Sequence, residues 1–398
     1  MGRLQIGNDR ERALVAGADF LLRAATAGTR PFAGRIRPRN PRRILLLRLE
    51  RIGDLLMALP AIRDVRQHAP DAEIDLVVGA WNAPLAATLS IVDRVQSLSV
   101  TWLAREGEGA GIGELLRTAW GWRRRRYDLA INFEPDVRSN LLLAVSGASW
   151  KAGWFSGGGG PLLNTALEFD PREHTTTNAQ RLVSAVFGRD ASPASTKPLI
   201  LLPESAIRAV DSLLPRGARG PLVGLHVSGG RAVKQWDPAR FREVARRLVV
   251  ERNATIVLTG APADRPLVDI VKAGLNQSNV VDVAGRMELT TLAALLHRLS
   301  VFISGDTGPM HLAHAVGTPL VAVFGPSDPG RYAPSGALDR IVHANLPCRP
   351  CNRIRTPPRR CTGHTPECLT AIPVDIVVRA ATDVLNAREA EIPRTSAR

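Results

Sequence analysis

The sequence predicts an α/β protein with two domains, each a doubly wound parallel sheet covered by helices on both faces. Short apolar runs that suit buried strands alternate with stretches of helical periodicity along most of the 398 residues. Strands that alternate with helices in this way favour parallel pairing. The alternation stops at a Pro- and Gly-rich stretch near residues 203–220 and then restarts. A chain of this length can bury a core in each of two domains.

The first predicted domain covers residues 43–205. It begins with the strand RILLLRL and continues with a helical stretch, GDLLMALPAIRDVRQHAP, that ends at Pro70. Two further strands are expected at EIDLVVGA and YDLAINFE. Residues 107–113, GEGAGIG, lack the GxGxxG spacing and follow no strand, so we interpret them as a loop, like the GGGGP run at 157–161.

Residues 1–42 form a basic extension ahead of this domain, in which residues 11–25 have the spacing of an amphipathic helix. Its large apolar residues are Leu14, Phe20, Leu21 and Leu22. A loosely packed extension and attachment to an anionic inner-membrane surface are both compatible with this pattern. No secretory signal and no apolar run of ~18 residues is visible. We therefore expect a cytoplasmic protein, with peripheral contact to the inner face of the inner membrane as an option.

A linker is predicted at residues 206–220, where prolines and glycines flank a short helical stretch. The second domain, residues 221–373, has the predicted strands PLVGLHVSGG, ATIVLTGAP, VVDVAG, VFISGD and LVAVFG and the predicted helices RFREVARRLVVE and LTTLAALLHRL. Residues 374–398 are expected to form a final helix and a tail.

The charge pattern limits the classes of binding partner that we expect. The net charge is +15, which favours polyanionic partners such as phosphorylated small molecules or an anionic membrane. Aromatic residues make up only 5%, and no stretch interleaves them with basic residues in the manner of a single-strand-binding surface. We therefore expect no nucleic-acid partner.

Three strands of the second domain end in small or polar turns, which predicts a diphosphate site. Glycines let the backbone approach a ligand closely, and the turn DTGP, residues 306–309, opens a helix whose free N–H groups and dipole attract phosphate. Lys234 adds a positive charge. The alternative is that Asp306 only caps the helix. Neither a Walker A motif nor GxGxxG is present, which argues against ordinary NTPases and dehydrogenases.

Asp54 follows the first strand of the first domain, at the carboxyl edge of its sheet. Two doubly wound domains normally bind their ligand in the cleft between them at this edge, so a carboxylate here can remove a proton from a hydroxyl. A plain helix cap is the alternative. The chain has no Asp-x-Asp pair, so cations and a helix N-terminus, rather than a metal, are expected to stabilise a leaving diphosphate. These features favour transfer of a sugar from a nucleotide sugar.

Four segments resemble glycosyltransferase family 9, the ADP-heptose:lipopolysaccharide heptosyltransferases, over roughly residues 43–385. They are RLERIGDLLMALPAI, YDLAINFEPDVRS, KQWDPARFREVARRL and AGRMELTTLAALLHRLSVFISGDTGPMHLAHAVGTPLVAVFGPSDP. The resemblance implies a GT-B fold, with two Rossmann-like domains facing across a cleft and a final helix that crosses back to the first. It also implies inverting transfer of a heptose or related sugar from an ADP-sugar to a glycan or glycolipid hydroxyl, with no metal or other cofactor required. The family often has an acidic residue where this chain has Asn132.

The resemblance assigns roles residue by residue. Asp54 matches the general base, Lys234 the lysine that contacts the donor phosphates, and Met287 a methionine that packs near the adenine. The full set of implied donor-binding residues is Ser228, Gly229, Lys234, Met287, Asp306, Thr307, Gly308 and His311. Met287 as a core residue, and Ser228 and Gly229 as simple turn residues, stay open as alternatives.

Acceptor-binding candidates are Arg51, Arg138 and Lys151, which suit phosphates or acidic sugars, whereas the run Arg123–Arg126 is interpreted as a solvated face. Three other functions stay open. They are a non-catalytic GT-B protein that binds nucleotide or glycan, a nucleotide-sugar epimerase, and a glycosyltransferase of another glycoconjugate or natural-product pathway.

Four cysteines lie in a loop predicted at residues 346–370. They are Cys348, Cys351, Cys361 and Cys368, spaced C-x2-C and C-x6-C. The first spacing resembles a zinc knuckle and the second is longer than usual. A structural zinc, reduced thiols and disulfides are the three alternatives.

Overall fold

The computed structural model divides the chain into two compact units, residues 1–199 and 200–398. The described residues are 4, 9–27, 37–102, 109–191, 198–215 and 220–391. Parts of the predicted extension, linker and tail therefore lie outside the described residues. Each unit contains a six-stranded sheet in which every neighbouring pair is parallel. The predicted α/β class and the two Rossmann-like units are confirmed.

Among its described residues, the first unit has six strands and six α-helices. The strands are β1 (Arg43–Arg48), β2 (Glu73–Gly79), β3 (Arg94–Leu98), β4 (Leu129–Asn132), β5 (Trp150–Trp154) and β6 (Thr165–Leu167). The helices are α1 (Asp9–Ala27), α2 (Ile52–His68), α3 (Ala83–Ala86), α4 (Ile112–Gly121), α5 (Val137–Val145) and α6 (Thr175–Phe187). The strand order is β3-β2-β1-β4-β5-β6. The central strand β1 is fully buried from Ile44 to Leu47, as its apolar run predicts.

The second unit repeats this plan. Its strands are β7 (Leu222–His226), β8 (Thr255–Thr259), β9 (Val280–Asp282), β10 (Val301–Gly305), β11 (Leu320–Phe324) and β12 (Arg340–His343). Its helices are α7 (Glu204–Leu213), α8 (Pro238–Arg252), α9 (Arg265–Lys272), α10 (Leu289–Arg298), α11 (Gly308–Ala315), α12 (Pro329–Tyr332), α13 (Glu367–Thr370) and α14 (Val374–Glu391). The strand order is β12-β11-β10-β7-β8-β9.

Both sheets have the same topological switch point. The first strand of each unit pairs on one side with the second strand and on the other with the fourth, so the connections leave in opposite directions. The switch points lie between β1 and β4 and between β7 and β10. In open α/β sheets, ligands bind outside the carboxyl ends of the two strands that flank this point.

Helices α7 and α14 complete the second unit. Helix α7 occupies much of the predicted linker and packs against α10. Helix α14 packs against α8 and strands β10 to β12, and Val377, Ala381 and Val384 are fully buried in the core. The predicted return of this helix to the first domain stays a prediction. Within the described segments, no helix is long and apolar enough to cross a membrane.

Candidate active site

Asp54 lies in the first turn of α2, just beyond the carboxyl end of β1 at the first switch point. Its Oδ2 accepts a hydrogen bond from the backbone N–H of Arg51 at 3.2 Å. The side chain therefore helps to close the start of the helix. This contact uses one carboxylate oxygen, and the side chain is 32% exposed. Asp54 is therefore accessible to a substrate hydroxyl while the helix holds it in place.

Arg48, the last residue of β1, is a site residue that the sequence patterns do not reveal. Its side chain is only 3% exposed. The guanidinium donates from Nε to the carbonyl oxygen of Asp54 at 3.1 Å and from Nη1 to that of Phe133 at 2.8 Å. Its Nη2 lies 3.7 Å from Oδ1 of Asp54. The buried cation thus ties the first turn of α2 to the segment that follows β4.

Glu134 fixes the same region from the other side of the switch point. Its Oε1 accepts the backbone N–H groups of Leu49 and Glu50, the latter at 2.8 Å, and its Oε2 accepts the hydroxyl of Ser139 at 2.5 Å. Burial raises the pKa of Glu134, while the charge of Arg48 lowers it. These bonds hold the connection between β1 and α2 in one conformation.

Glu50 completes a cluster of three carboxylates around one guanidinium. Its Oε2 lies 2.9 Å from Nη1 of Arg48. Burial raises the pKa of Glu50 to about 8, although Arg48 lowers it. Repulsion from three carboxylates adds to the upward shift; they belong to Asp54, Glu134 and Asp136. Burial and the repulsion between carboxylates together outweigh the attraction of Arg48, so the Glu50 side chain is protonated near neutral pH.

Asn132 shows why an amide suits the end of β4. Its Nδ2 donates to the carbonyl of Glu134 at 2.9 Å and to Oδ1 of Asn140 at 2.8 Å, and its Oδ1 accepts the N–H of Glu134 at 3.0 Å. An amide donates and accepts at once, whereas a carboxylate only accepts. The residue therefore supports the strand end rather than adding charge to the site.

Two of the three acceptor-binding candidates lie on the same sheet edge as Asp54. Arg51 is the N-cap of α2 and is exposed. Arg138 lies in the first turn of α5, where its guanidinium pairs with Asp136 at 2.6 Å and stacks over Trp102 at 4.7 Å. This edge of the first unit therefore carries cations beside the candidate base.

The third candidate, Lys151, lies elsewhere. It is the second residue of β5, in register with Ala130, so it is near the amino-terminal edge of the sheet. Its side chain is buried, and Nζ donates to the carbonyl of Ala148 at 3.0 Å. The structure does not bring Lys151 together with Asp54.

At the second switch point, Lys234 and Asp306 form an ion pair. Lys234 ends the 3-10 turn Ala232–Lys234 that follows β7, and Asp306 follows β10. Nζ of Lys234 donates to Oδ2 of Asp306 at 2.9 Å and also to its carbonyl oxygen. Two residues 72 positions apart, predicted from separate strand ends, are thereby brought into contact.

Asp306 is buried and ionised. Burial raises its pKa, but Lys234, a hydrogen bond from Ser327 and the nearby His311 lower it below its ordinary value. A buried carboxylate repels phosphate, so its contribution is to hold the ammonium of Lys234 in place. Ser327 follows β11, and no sequence pattern distinguished it.

The start of α11 presents backbone donors at this switch point. Thr307 is the N-cap with extended backbone, at φ −143° and ψ 166°, and Gly308 and Pro309 are the first helical residues. Pro309 has no N–H group, so the donors here are the N–H groups of Gly308 and Met310, which have no acceptor within the helix, and the helix dipole favours an anion there. His311, one turn further on, is buried.

Ser228 and Gly229 form a tight turn against the Lys234 segment. The N–H of Gly229 donates to Oε1 of Gln235 at 2.7 Å. A Cβ at Gly229 would lie 2.6 Å from the carbonyl carbon of Lys234, so only glycine fits this approach. Ser228 Oγ accepts the N–H of Gly230 at 3.2 Å. The structure thus gives both residues a role in shaping the turn that carries Lys234.

Met287 and His226 also lie at the carboxyl edge of the second sheet. Met287 is half-buried in the segment between β9 and α10, outside the buried core. His226, the last residue of β7, is buried and lies 3.1 Å from the hydroxyl of Thr259. Burial lowers the pKa of His226 to about 4, so its imidazole is neutral at physiological pH.

The sequence also matches a model of a known protein family. A protein-family model described as glycosyltransferase family 9 (heptosyltransferase) matches residues 116–360, which is more than half of the chain. The chain belongs to glycosyltransferase family 9. It is therefore an enzyme of the glycosyltransferase class, in the heptosyltransferase family of lipopolysaccharide biosynthesis.

Individual relatives agree with this assignment. Lipopolysaccharide heptosyltransferase 2 of Salmonella typhimurium is 26% identical over 313 residues, which cover 75% of this chain and 87% of the relative. The structure of E. coli ADP-heptose lps heptosyltransferase II superposes with a TM-score of 0.70 at 22% identity, covering 87% of this chain and 99% of that one. The structure of E. coli heptosyltransferase WaaC with ADP-2-deoxy-2-fluoro heptose has a TM-score of 0.61 at 22% identity, covering 76% and 93%.

None of the four cysteines of this family 9 enzyme is in a disulfide bond. Cys348 is exposed, Cys351 and Cys361 are half-buried, and Cys368 is buried. Burial raises the pKa of Cys368 to about 11, with the neighbouring Cys351 and Cys361 adding to the shift. Over the described part of the chain, no group of three or more His, Cys, Asp or Glu side chains is arranged to hold a metal ion. The zinc alternative stays a prediction.

Replacing Glu50 with Gln should change how stability depends on pH. A carboxyl group whose pKa is raised by folding stabilises the folded state most at a pH below the ordinary pKa of the group. This contribution is lost as the pH rises toward the folded-state pKa of about 8. The free energy of unfolding of the wild type should therefore fall, relative to that of Glu50→Gln, between about pH 5 and 8. Urea titrations measure the difference. The control is Glu204→Gln, at an exposed position of α7, which should show the same pH dependence as the wild type. Parallel curves for the wild type and Glu50→Gln would refute the assignment.

Alkylation of the native enzyme should modify Cys348 first and Cys368 last. The thiolate is the reactive form, and Cys368 is both buried and held as a thiol. Mass spectrometry after timed iodoacetamide treatment measures the order. Zinc content determined on the same sample tests the metal alternative. One zinc per chain together with protection of all four cysteines would contradict the expectation of free thiols.

Proposed function

We propose that this enzyme transfers a heptose, or a related sugar, from an ADP-sugar to a hydroxyl group of a lipopolysaccharide-core or other glycan acceptor. The transfer would invert the anomeric carbon and require no metal ion. The observation that carries the proposal is the Lys234–Asp306 pair at a switch point, beside the start of α11. The relatives named as lipopolysaccharide heptosyltransferases support the acceptor class, and the WaaC structure with an ADP-sugar analogue supports the donor class.

The second unit would bind the donor diphosphate. Lys234 supplies a cation whose position is set by Asp306, and the first N–H groups of α11 supply neutral donors. Both stabilise the negative charge that builds up on ADP as the bond to the sugar breaks. Because these groups are fixed before the reaction, little reorganisation is needed in the transition state.

The first unit would supply the base. The acceptor hydroxyl oxygen forms a bond to the anomeric carbon, its proton passes to a carboxylate oxygen of Asp54, and ADP leaves with the electron pair of the broken bond. A single displacement of this kind inverts the anomeric centre. Arg48 and the N–H of Arg51 orient the carboxylate for this step.

The compartment follows from the substrates in this proposal. A nucleotide-sugar donor made in the cytoplasm places the reaction there, and a glycolipid acceptor places it at the inner face of the inner membrane. The enzyme would therefore act as a peripheral protein at that surface.

Asp54→Asn should lower kcat by at least about 100-fold, because general-base catalysis contributes about that much or more. The dissociation constant for the donor should stay close to that of the wild type, since the proposed donor groups lie in the second unit. ADP release from ADP-heptose with acceptor present measures kcat, and calorimetry measures binding. Asp71→Asn, beyond the other end of α2, is the matched control and should turn over normally. Full activity of Asp54→Asn would remove the base assignment.

Wild-type enzyme should bind ADP-heptose more tightly than GDP-, UDP- or dTDP-sugars in a calorimetric screen. Lys234→Met should weaken ADP-heptose binding by about tenfold or more, since a hydrogen bond to a charged group is lost. Lys272→Met, on α9 of the same unit, removes an equal charge and should bind as the wild type does. Equal affinity for all four nucleotides would contradict the donor class, and binding without acceptor-dependent ADP release would favour a non-catalytic protein.

A further inference from the structure

We propose that the outward face of α1 is a membrane-contact surface that holds the enzyme against an anionic lipid leaflet. This inference rests on the proposed glycolipid acceptor, and it names the element of the chain that meets the lipid. We call the exposed residues Leu14, Phe20 and Leu21 the apolar face of α1.

The inner side of α1 is firmly attached to the first unit, which fixes the direction of the outer side. Val15 and Asp19 are buried. Oδ1 of Asp19 accepts the backbone N–H of Gly159 at 2.8 Å. Gly158 has a positive φ of 95°, and a Cβ there would lie 2.3 Å from Cγ1 of Val15. The helix therefore packs closely against the glycine-rich segment that follows β5.

The opposite side of α1 presents large apolar side chains to solvent. Leu14 is 76% exposed, Phe20 65% and Leu21 68%. The helical spacing that places Leu14 and Leu21 two turns apart also puts Ala13, Gly17 and Ala24 on this side. A concentration of exposed apolar groups on one short helix marks an interaction surface rather than ordinary solvent-facing structure.

The net positive charge of the segment that contains α1 favours lipid headgroups over a second copy of the chain. Residues 1–42 contain nine arginines and three acidic residues. Two copies meeting through α1 would bring these basic segments together, which is unfavourable. Anionic headgroups complement them instead. An amphipathic helix within a basic segment is the type that lies in the plane of an anionic membrane interface.

The position of α1 relates the surface to the reaction. The segment 157–160 follows the carboxyl end of β5, so α1 is attached at the same edge of the sheet that carries Asp54. A Cβ at Gly157 would lie 2.1 Å from the carbonyl oxygen of Pro135, which directly follows Glu134. Contact of α1 with a leaflet would therefore bring the edge with the candidate base to the surface where a glycolipid acceptor is embedded.

Binding of the full-length enzyme to vesicles, without donor or acceptor, tests the proposal. We expect wild-type protein to float with phosphatidylcholine vesicles that contain phosphatidylglycerol and to bind pure phosphatidylcholine vesicles much more weakly. The triple variant Leu14→Ser, Phe20→Ser, Leu21→Ser should lose at least about tenfold in partitioning to the anionic vesicles. The reason is that it removes most of the apolar surface that would be buried in the lipid. Thermal unfolding verifies that the variant is folded.

A matched control removes three exposed apolar side chains from the second unit. The variant Val250→Ser, Ile270→Ser, Ile376→Ser alters residues that are 72%, 43% and 47% exposed, and it should bind vesicles as the wild type does. Equal binding by the α1 variant and the wild type would overturn the proposal. So would equal loss in both variants, or a wild-type dimer in light scattering that becomes a monomer in the α1 variant, since a second copy would then cover the face.

The test also separates this inference from the proposed function. The α1 variant should transfer sugar to a water-soluble, delipidated core acceptor at the wild-type rate and lose activity only toward acceptor in vesicles. Loss of activity toward both acceptors by a folded α1 variant would contradict a surface role. If the wild type transfers to neither acceptor but binds vesicles through α1, the reaction assignment fails and the membrane surface stands.

Discussion

The buried guanidinium of Arg48 is the interaction on which the first unit's site depends. It lies where the sheet changes direction, and it contacts both segments that leave this point, the one after β1 and the one after β4. Without a cation there, the carboxylates of Glu50, Asp54 and Glu134 would face one another in a poorly solvated region. A buried charge with partners on several sides is costly to remove, which makes the local backbone hard to displace. The position of Asp54 is a consequence of this constraint.

The second unit also has an ion pair at its switch point, but the signs of the buried and the partly exposed charge are reversed. There a buried carboxylate, Asp306, holds an ammonium, that of Lys234, which is partly exposed. In the first unit the buried member is the cation and the partly exposed member is the carboxylate of Asp54. Identical sheet topologies thus hold a partly exposed carboxylate in one case and a partly exposed ammonium in the other. The difference matches the chemistry proposed for each, proton removal from an acceptor and stabilisation of a leaving diphosphate.

Sequence reasoning recovered the parts of this arrangement that are local along the chain. Asp54, Lys234 and the 306–308 turn lie in the segments that follow apolar runs, so their position after a strand identified them. The strands with uniformly apolar runs were also predicted. Strands β3, β5, β6 and β12 were not, because their residues are mixed and only their position toward the side of the sheet makes them strands. Arg48 and Glu134 are 86 positions apart, so no spacing rule relates them. The sequence does not reveal that Lys151 lies near the amino-terminal edge of the sheet, because a lysine near a strand carries no mark of which end of the sheet it faces.

Every hydrogen bond described for Arg48 and for Lys234 is made to a residue of its own unit. Each of these two ion-pair arrangements is therefore held by contacts within one unit. Under the proposed function, substitutions around Asp54 would change acceptor recognition without altering the contacts that hold Lys234, and the reverse also holds.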